Sequence, residues 1–204
     1  MTESPKPPVL VFIVGPPAVG KMTVGHELAR RTGLKLFHNH HTIDLALRFF
    51  PYGSPAFRRL VGEFRRRIFQ EVAASDLAGL IFTYVWAFDH ESDAAFVDEC
   101  AALFRERGSE VFFVELEATL EERLRRNETA FRLAEKPFKR DLEQSRRTLL
   151  DTDAQYELNS KGRFDGRADY LRIENTTLSA AEVAERIANR FPLPRASAGT
   201  VSLA

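Results

Sequence analysis

After a polar start, the chain runs through six consecutive apolar residues at 9–14 (VLVFIV) and stops at Gly15. A β-branched run with no polar side predicts a strand buried on both faces, as in a parallel sheet. From Lys21 to Arg31 the spacing becomes helical, with Val24 and Leu28 on one stripe and Gly33 placed to end the helix. Residues 34–38 predict a short second strand. Thr42 is the expected N-cap of the next helix, with Asp44 in its first turn. Ser54 followed by Pro55 opens a long helix to about residue 74. Residues 79–88 (GLIFTYVWAF) predict a third strand ending at Asp89, and the helix after it carries Phe96, Cys100 and Phe104 on one face. Residues 110–116 predict a fourth strand. Thr119 and Glu122 have the spacing of a capping box and open a charged helix. Residues 127–137 interrupt that pattern. A helix from about 137 to 150, a loop over 151–168 and a strand over 168–173 follow. A second capping box, Ser179 to Glu182, opens the last helix, to about Arg190.

Five strands alternating with helices predict an α/β fold, a parallel sheet covered by helices on both faces. The expected organisation is one domain over 1–191 and a flexible tail over 192–204. Of 204 residues, 44% are hydrophobic and 28% charged, which supports a globular core and excludes whole-chain disorder. Lys+Arg and Asp+Glu are both 29, so the chain is not a non-specific nucleic-acid coat, and nucleic acid is not expected as a partner. The single cysteine, Cys100, excludes an intramolecular disulfide and, on its apolar face, reads as core. No apolar run reaches the roughly 18 residues of a membrane span, and no signal-peptide pattern opens the chain. A cytoplasmic protein without membrane contact is therefore expected.

The chemistry lies in Gly15-Pro16-Pro17-Ala18-Val19-Gly20-Lys21-Met22-Thr23. This matches G-x-x-x-x-G-K, with Met22 where the full phosphate-loop pattern has Ser or Thr, and Thr23 one place later. An apolar strand leads in and an amphipathic helix leads out. That arrangement aims successive backbone N–H groups and a positive helix end at phosphate oxygens, and the lysine adds a point charge.

The loop resembles that of the adenylate-kinase-like small P-loop kinases, whose form is G-x-P-G-x-G-K-G-T. Thr23 matches their threonine, and Ala18 and Met22 depart from two of their glycines. More widely, the chain from Val9 to Phe191 is similar to the nucleoside-monophosphate, shikimate and gluconate kinase group. More narrowly, it resembles a bacterial branch described as AAA-family ATPases or shikimate kinase-like proteins, through GPPAVGKMTVG, LKLFHNHHTIDL, GLIFTYVWAFD and IENTTLSAAEVA. The resemblance implies a three-layer α/β/α P-loop fold with strand order 2-3-1-4-5, ATP as donor, Mg²⁺ as cofactor and a short arginine-bearing lid at about 127–137. It implies that Thr23 helps to order Mg²⁺, that Arg126 flanks the adenine and that Arg132 closes over the γ-phosphoryl group. It also places Asn175-Thr176 in the loop around the base. Charges on an exposed helix paired with Glu121, Glu122 and Glu128 are the other reading of Arg123, Arg126 and Arg132.

Acceptor recognition is expected beyond strands two and three, outside their carboxyl ends. The end of strand two reads His38-Asn39-His40-His41-Thr42-Ile43-Asp44 where shikimate and gluconate kinases carry an Asp-x-Asp-like pair. Asp44 is the nearest carboxylate to serve as base. The three histidines admit acceptor binding, zinc ligation or a structural role. Arg48 could receive an anionic acceptor. In the run Arg58, Arg59, Arg65, Arg66 and Arg67, only Arg58 and Arg65 share a face, two turns apart. Asp89 stands where an acid after the strand beside the loop would hold Mg²⁺, or else favour a helix N-terminus. Tyr84 and Trp86 wall the acceptor pocket or pack the core. The reading is an ATP-dependent phosphotransferase on a small metabolite or nucleotide, with Lys21, Arg132 and Asp44 catalytic and the residues from Gly15 to Thr23 cradling phosphate. A regulatory ATPase and a polynucleotide 5′-kinase are the rival classes.

Overall fold

The computed structural model describes residues 6–128 and 142–196. Five strands, β1 (Val9–Val14), β2 (Lys35–His38), β3 (Gly79–Tyr84), β4 (Val111–Glu117) and β5 (Tyr170–Glu174), form one parallel sheet in the order β2-β3-β1-β4-β5. Seven helices are found among the described residues: α1 (Lys21–Thr32), α2 (His40–Leu47), α3 (Pro55–Ala73), α4 (Glu91–Arg105), α5 (Leu120–Asn127), α6 (Leu142–Gln155) and α7 (Ala180–Arg190). None of them is long and apolar enough to cross a membrane.

The uninterrupted apolar run of β1 has its reason in this architecture, since β1 lies between β3 and β4 and is covered on both faces. Leu10, Phe12 and Val14 face a core shared with Phe69 of α3 and Cys100 and Phe104 of α4. Val9, Val11 and Ile13 face the opposite core, with Val24 and Leu28 of α1 and Val183 and Ile187 of α7. Phe12 is fully buried and stacks on Phe113 at 5.2 Å between ring centroids. Burial of such a ring contributes about 1.5–3 kcal/mol.

The expected punctuation of several helices is present. Gly33 caps α1 at φ 75°, its N–H donating to the Ala29 carbonyl. Ser54 caps α3 with Pro55 in the first turn, and the Ser179–Glu182 capping box is complete in both directions. Thr119 Oγ1 accepts from the Glu122 N–H.

Three expectations need correction. First, α2 starts at His40, not after Thr42. Asn39, with helical φ −48° and ψ −35°, precedes it without a side-chain cap. Thr42 is buried inside the helix, where its Oγ1 accepts from Arg65 Nε at 3.1 Å, and that tertiary contact displaces the capping role. Secondly, β3 ends at Tyr84, because its pairings end at His38↔Thr83 on one side and Val14↔Tyr84 on the other. Beyond it, Trp86 and Phe88 bury themselves by stacking at 4.5 Å and packing on Phe164. Thirdly, the helix expected to stop at about 150 continues to Gln155. The lid expected over 127–137 lies outside the described residues from 129 onward, and so does Arg132. At the other end, Leu193 packs against the α1/α7 core and the Ala196 N–H donates to the Arg31 carbonyl at 3.0 Å.

Candidate active site

The loop between β1 and α1 is shaped by backbone demands. Gly15 sits at φ +132°, and a Cβ there would lie 2.4 Å from the Leu116 carbonyl oxygen, so no larger residue fits. Gly20 sits at φ +108° and leads directly into α1. Ala18 also has a left-handed conformation, at φ 63°. An L-residue adopts that angle at a cost, whereas glycine adopts it freely. Lys21 is the first residue of α1, and its Nζ donates to the carbonyls of Gly15 (2.6 Å) and Pro16 (2.7 Å).

On one side of the loop lies a cleft of about 340 Å³ lined by Gly20, Thr23, Arg126, Asn175 and Thr176 among others. Two side chains fix the loop from this side. Arg126 Nη1 and Asn175 Nδ2 both donate to the Val19 carbonyl, at 2.8 and 3.0 Å. Arg126 Nη2 also donates to the carbonyls of Asn175 (2.8 Å) and Thr176 (3.1 Å), while its Nε is held by Glu122 at 2.7 Å. Hydrogen bonds from Arg125, and then from Arg126, bring the Glu122 carboxyl down to about 2. The residues expected around the nucleotide base thus converge on the loop.

On the other side a cleft of about 890 Å³ opens, with Pro17 of the loop in its wall. Asn39 and His40 from the end of β2, Arg58 and Arg65 from α3, and Tyr84 from β3 line it. As the spacing predicts, Arg58 and Arg65 face the cleft together, whereas Arg66 pairs with Glu99 and Arg67 with Glu71 elsewhere. His40 Nδ1 lies 3.4 Å from Asp44 Oδ1, and the His40 N–H donates to His38 Nδ1 at 3.0 Å. His41 packs on Phe37.

Several candidates sit differently from expectation. Asp44 lines neither cleft but stands behind His40, and Arg48 lines neither. Asp89 lies five residues past the end of β3, and its Oδ1 accepts from the Glu157 N–H at 3.0 Å, so it ties two loops together. Trp86 is in the core rather than the cleft wall. Arg123 is buried and forms a bidentate pair with Asp153, not an exposed pair with its own helix. Cys100 is buried, and burial pushes its thiol up to about 12, which removes it as a nucleophile.

Two carboxylates escaped the sequence reading. Asp93 accepts from the Tyr84 hydroxyl and the Ala87 N–H, both at 2.9 Å, and shapes the wall of the larger cleft. Its only signal was a first-turn acid in α4, which Glu91 shares. Glu115 is fully buried in β4 and accepts from Asn159 Nδ2 (2.9 Å), the Ser160 N–H (2.7 Å) and the Tyr170 hydroxyl. An acid flanked by apolar residues on both sides, in VFFVEL, was its signal.

The residues present fit magnesium in one way only. Met22 is buried and brings no oxygen to the place after the lysine. Among the described residues no group of three or more His, Cys, Asp and Glu could hold a metal ion. A magnesium ion here would be carried mainly by nucleotide phosphates and water, as is common for this ion, with the Thr23 hydroxyl available at the smaller cleft.

No protein-family model matches the chain, and no curated protein sequence matches it either. Solved structures do. The five-stranded parallel sheet in the order β2-β3-β1-β4-β5, with its helices, is the α/β/α fold that these structures share. Among the similar structures is the Mycobacterium tuberculosis APS kinase in complex with AMPPNP and APS, at a TM-score of 0.59 and 16% identity, covering 91% of this chain and 98% of that one. The Deinococcus radiodurans tunicamycin resistance protein is similar at 0.54 and 20% identity (93% and 99% covered). The Acinetobacter baumannii shikimate kinase in complex with shikimate is similar at 0.53 and 21% identity (89% and 92%).

Proposed function

We propose that this protein is an ATP-dependent phosphotransferase that acts on a small hydroxylated acceptor. The observation that carries the reading is the position of the loop between two clefts. Gly20 and Thr23 open on the smaller cleft, with its Arg126 and Asn175, and Pro17 opens on the larger. A donor bound in the first and an acceptor in the second would meet at the loop, as in-line transfer requires. The similarity to kinases in complex with a nucleotide analogue and with shikimate supports the same reading.

In this mechanism the N–H groups of the loop and the start of α1 hold the donor phosphates. Lys21 exchanges its bonds to Gly15 and Pro16 for phosphate oxygens, a change that costs less desolvation than a fully hydrated ammonium would require, since the ammonium is already half-buried against the loop. Arg126 and Asn175 hold the Val19 carbonyl and keep the loop in shape. Arg132 is assigned to the transferring group and His40, backed by Asp44, to the acceptor hydroxyl. Magnesium bound with the nucleotide would neutralise charge on the phosphates.

The test is transfer from γ-labelled ATP to a panel of sugars, hydroxy acids, nucleosides and nucleoside monophosphates, with Lys21→Ala alongside. Labelled product should fall by at least about 10²-fold in the variant, the loss expected on removing one charge-stabilising group, and chelation by EDTA should abolish it. Undiminished turnover in Lys21→Ala would refute the reading.

A further inference from the structure

Three features of the larger cleft together bear on the ligand it takes. The first is an aromatic shelf. Tyr52 is 76% exposed although its ring lies 5.1 Å from that of Phe57, and both rings line the cleft. Ile43 and Val61 extend this apolar side, and Tyr156 and Leu158 also line the cleft.

The second is an excess of positive charge: among the lining residues two arginines face the single carboxylate of Asp93, which is already engaged by the Tyr84 hydroxyl and the Ala87 N–H. Arg65 is held rigidly: it donates to the Asn39 carbonyl (3.3 Å), the Asn39 side-chain oxygen and Thr42 Oγ1, and its guanidinium sits 6.0 and 5.9 Å from the ring centres of Phe82 and Phe96. Among the described residues neither Arg65 nor Arg58 pairs with a carboxylate. Arg58 is exposed and lines the same cleft two helical turns away, about 10 Å along the axis. A fixed guanidinium without a carboxylate partner is matched by an anion.

The third is Gly62. It lies inside α3 between Arg58 and Arg65, it lines the cleft, and an added Cβ would meet nothing within 4 Å. Glycine is unfavourable in a helix interior, and no neighbour in the fold demands it here. Its effect is to leave a flat floor between the two arginines.

From these three observations we infer that the larger cleft takes a flat aromatic molecule bearing an anionic group. Its ring lies over Gly62 against the Tyr52–Phe57 shelf and its anion reaches Arg65 or Arg58. The cleft's volume suits a ligand of this size, since pockets of about 300–1,000 Å³ enclose drug-sized molecules. That this molecule is the phosphoryl acceptor rests on the proposed function; that it binds here does not.

The test is calorimetric titration of the full chain, without nucleotide, with three matched probes: 2-naphthoate, the uncharged 2-naphthamide and the aliphatic gluconate. Naphthoate should bind at least about tenfold more tightly than either of the others. Gly62→Leu should abolish that binding while the thermal midpoint stays level or rises, because leucine favours the helix and fills the floor. Arg65→Met should remove the preference of naphthoate over naphthamide. Equal binding of the amide, tighter binding of gluconate, no binding of naphthoate, or unchanged binding in Gly62→Leu would each overturn the inference. ATP binding by Lys21→Ala, measured separately, distinguishes the two readings. Naphthoate binding with ATP binding insensitive to Lys21 would leave this site standing and the phosphotransferase reading fallen.

Discussion

At the scale of single residues, the loop carries two departures with opposite consequences. Ala18 adopts φ 63°, a conformation that costs an L-residue roughly 1–2 kcal/mol through its Cβ. Ala18→Gly should therefore stabilise the protein by about 1 kcal/mol, less the larger unfolded-state entropy of glycine. Urea denaturation checks this, and a lower midpoint in the variant would contradict it. Met22 is buried, so its side chain belongs to the packing beneath the loop and not to the phosphate site. Replacement of Gly15 has no comparable tolerance, with the Leu116 carbonyl 2.4 Å from where a Cβ would stand.

At the scale of elements, the contact between α5 and α6 depends on an ion pair between buried Arg123 and partly exposed Asp153. Asn127, at the end of α5, is joined to α6 as well, through Ser145 Oγ at 3.1 Å. Removing one partner of a buried pair leaves an uncompensated charge, which costs about 3 kcal/mol or more. Asp153→Ala should accordingly lower stability by about 3 kcal/mol, whereas replacing both residues with apolar ones of similar volume should recover most of it. A double-mutant cycle in urea measures this, and strict additivity would argue against the pair. The helix and strand boundaries were legible wherever punctuation is local. Gly33, the Ser54-Pro55 start and the Ser179–Glu182 box act through bonds within a few residues. Two of the misread boundaries, the start of α2 and the end of β3, have non-local causes. Arg65, from another helix, takes up Asn39 and Thr42, and β3 stops because its neighbours stop.

At the scale of the whole molecule, Arg126 joins α5, the loop between β1 and α1 and the segment after β5, and Glu122 holds Arg126 in place. Glu122 has a folded-state value depressed to about 2 from 4.5, so its contribution is present above about 4.5 and is lost as the pH falls toward 2. The stability difference between the wild type and Glu122→Gln should be constant above pH 5 and shrink as the pH falls through that window. A difference that stays constant down to pH 2.5 would mean that the pair contributes nothing.

The sequence by itself determined the parallel sheet, its dominant strand, the glycine-bearing loop between β1 and α1 and the shared face of Arg58 and Arg65. All of these follow from local chemistry: periodicity, glycine at positive φ, and residue spacing along one helix. The resemblance supplied the strand order. Only the tertiary structure decided that Asp44 lines neither cleft, that Asp89 bonds a distant loop, that Arg123 is buried, and that Asp93 and Gly62 shape a cleft. Each of these depends on which elements meet across the sheet. A side chain's partners are set by packing between segments far apart in the chain, and neither spacing nor periodicity records that packing.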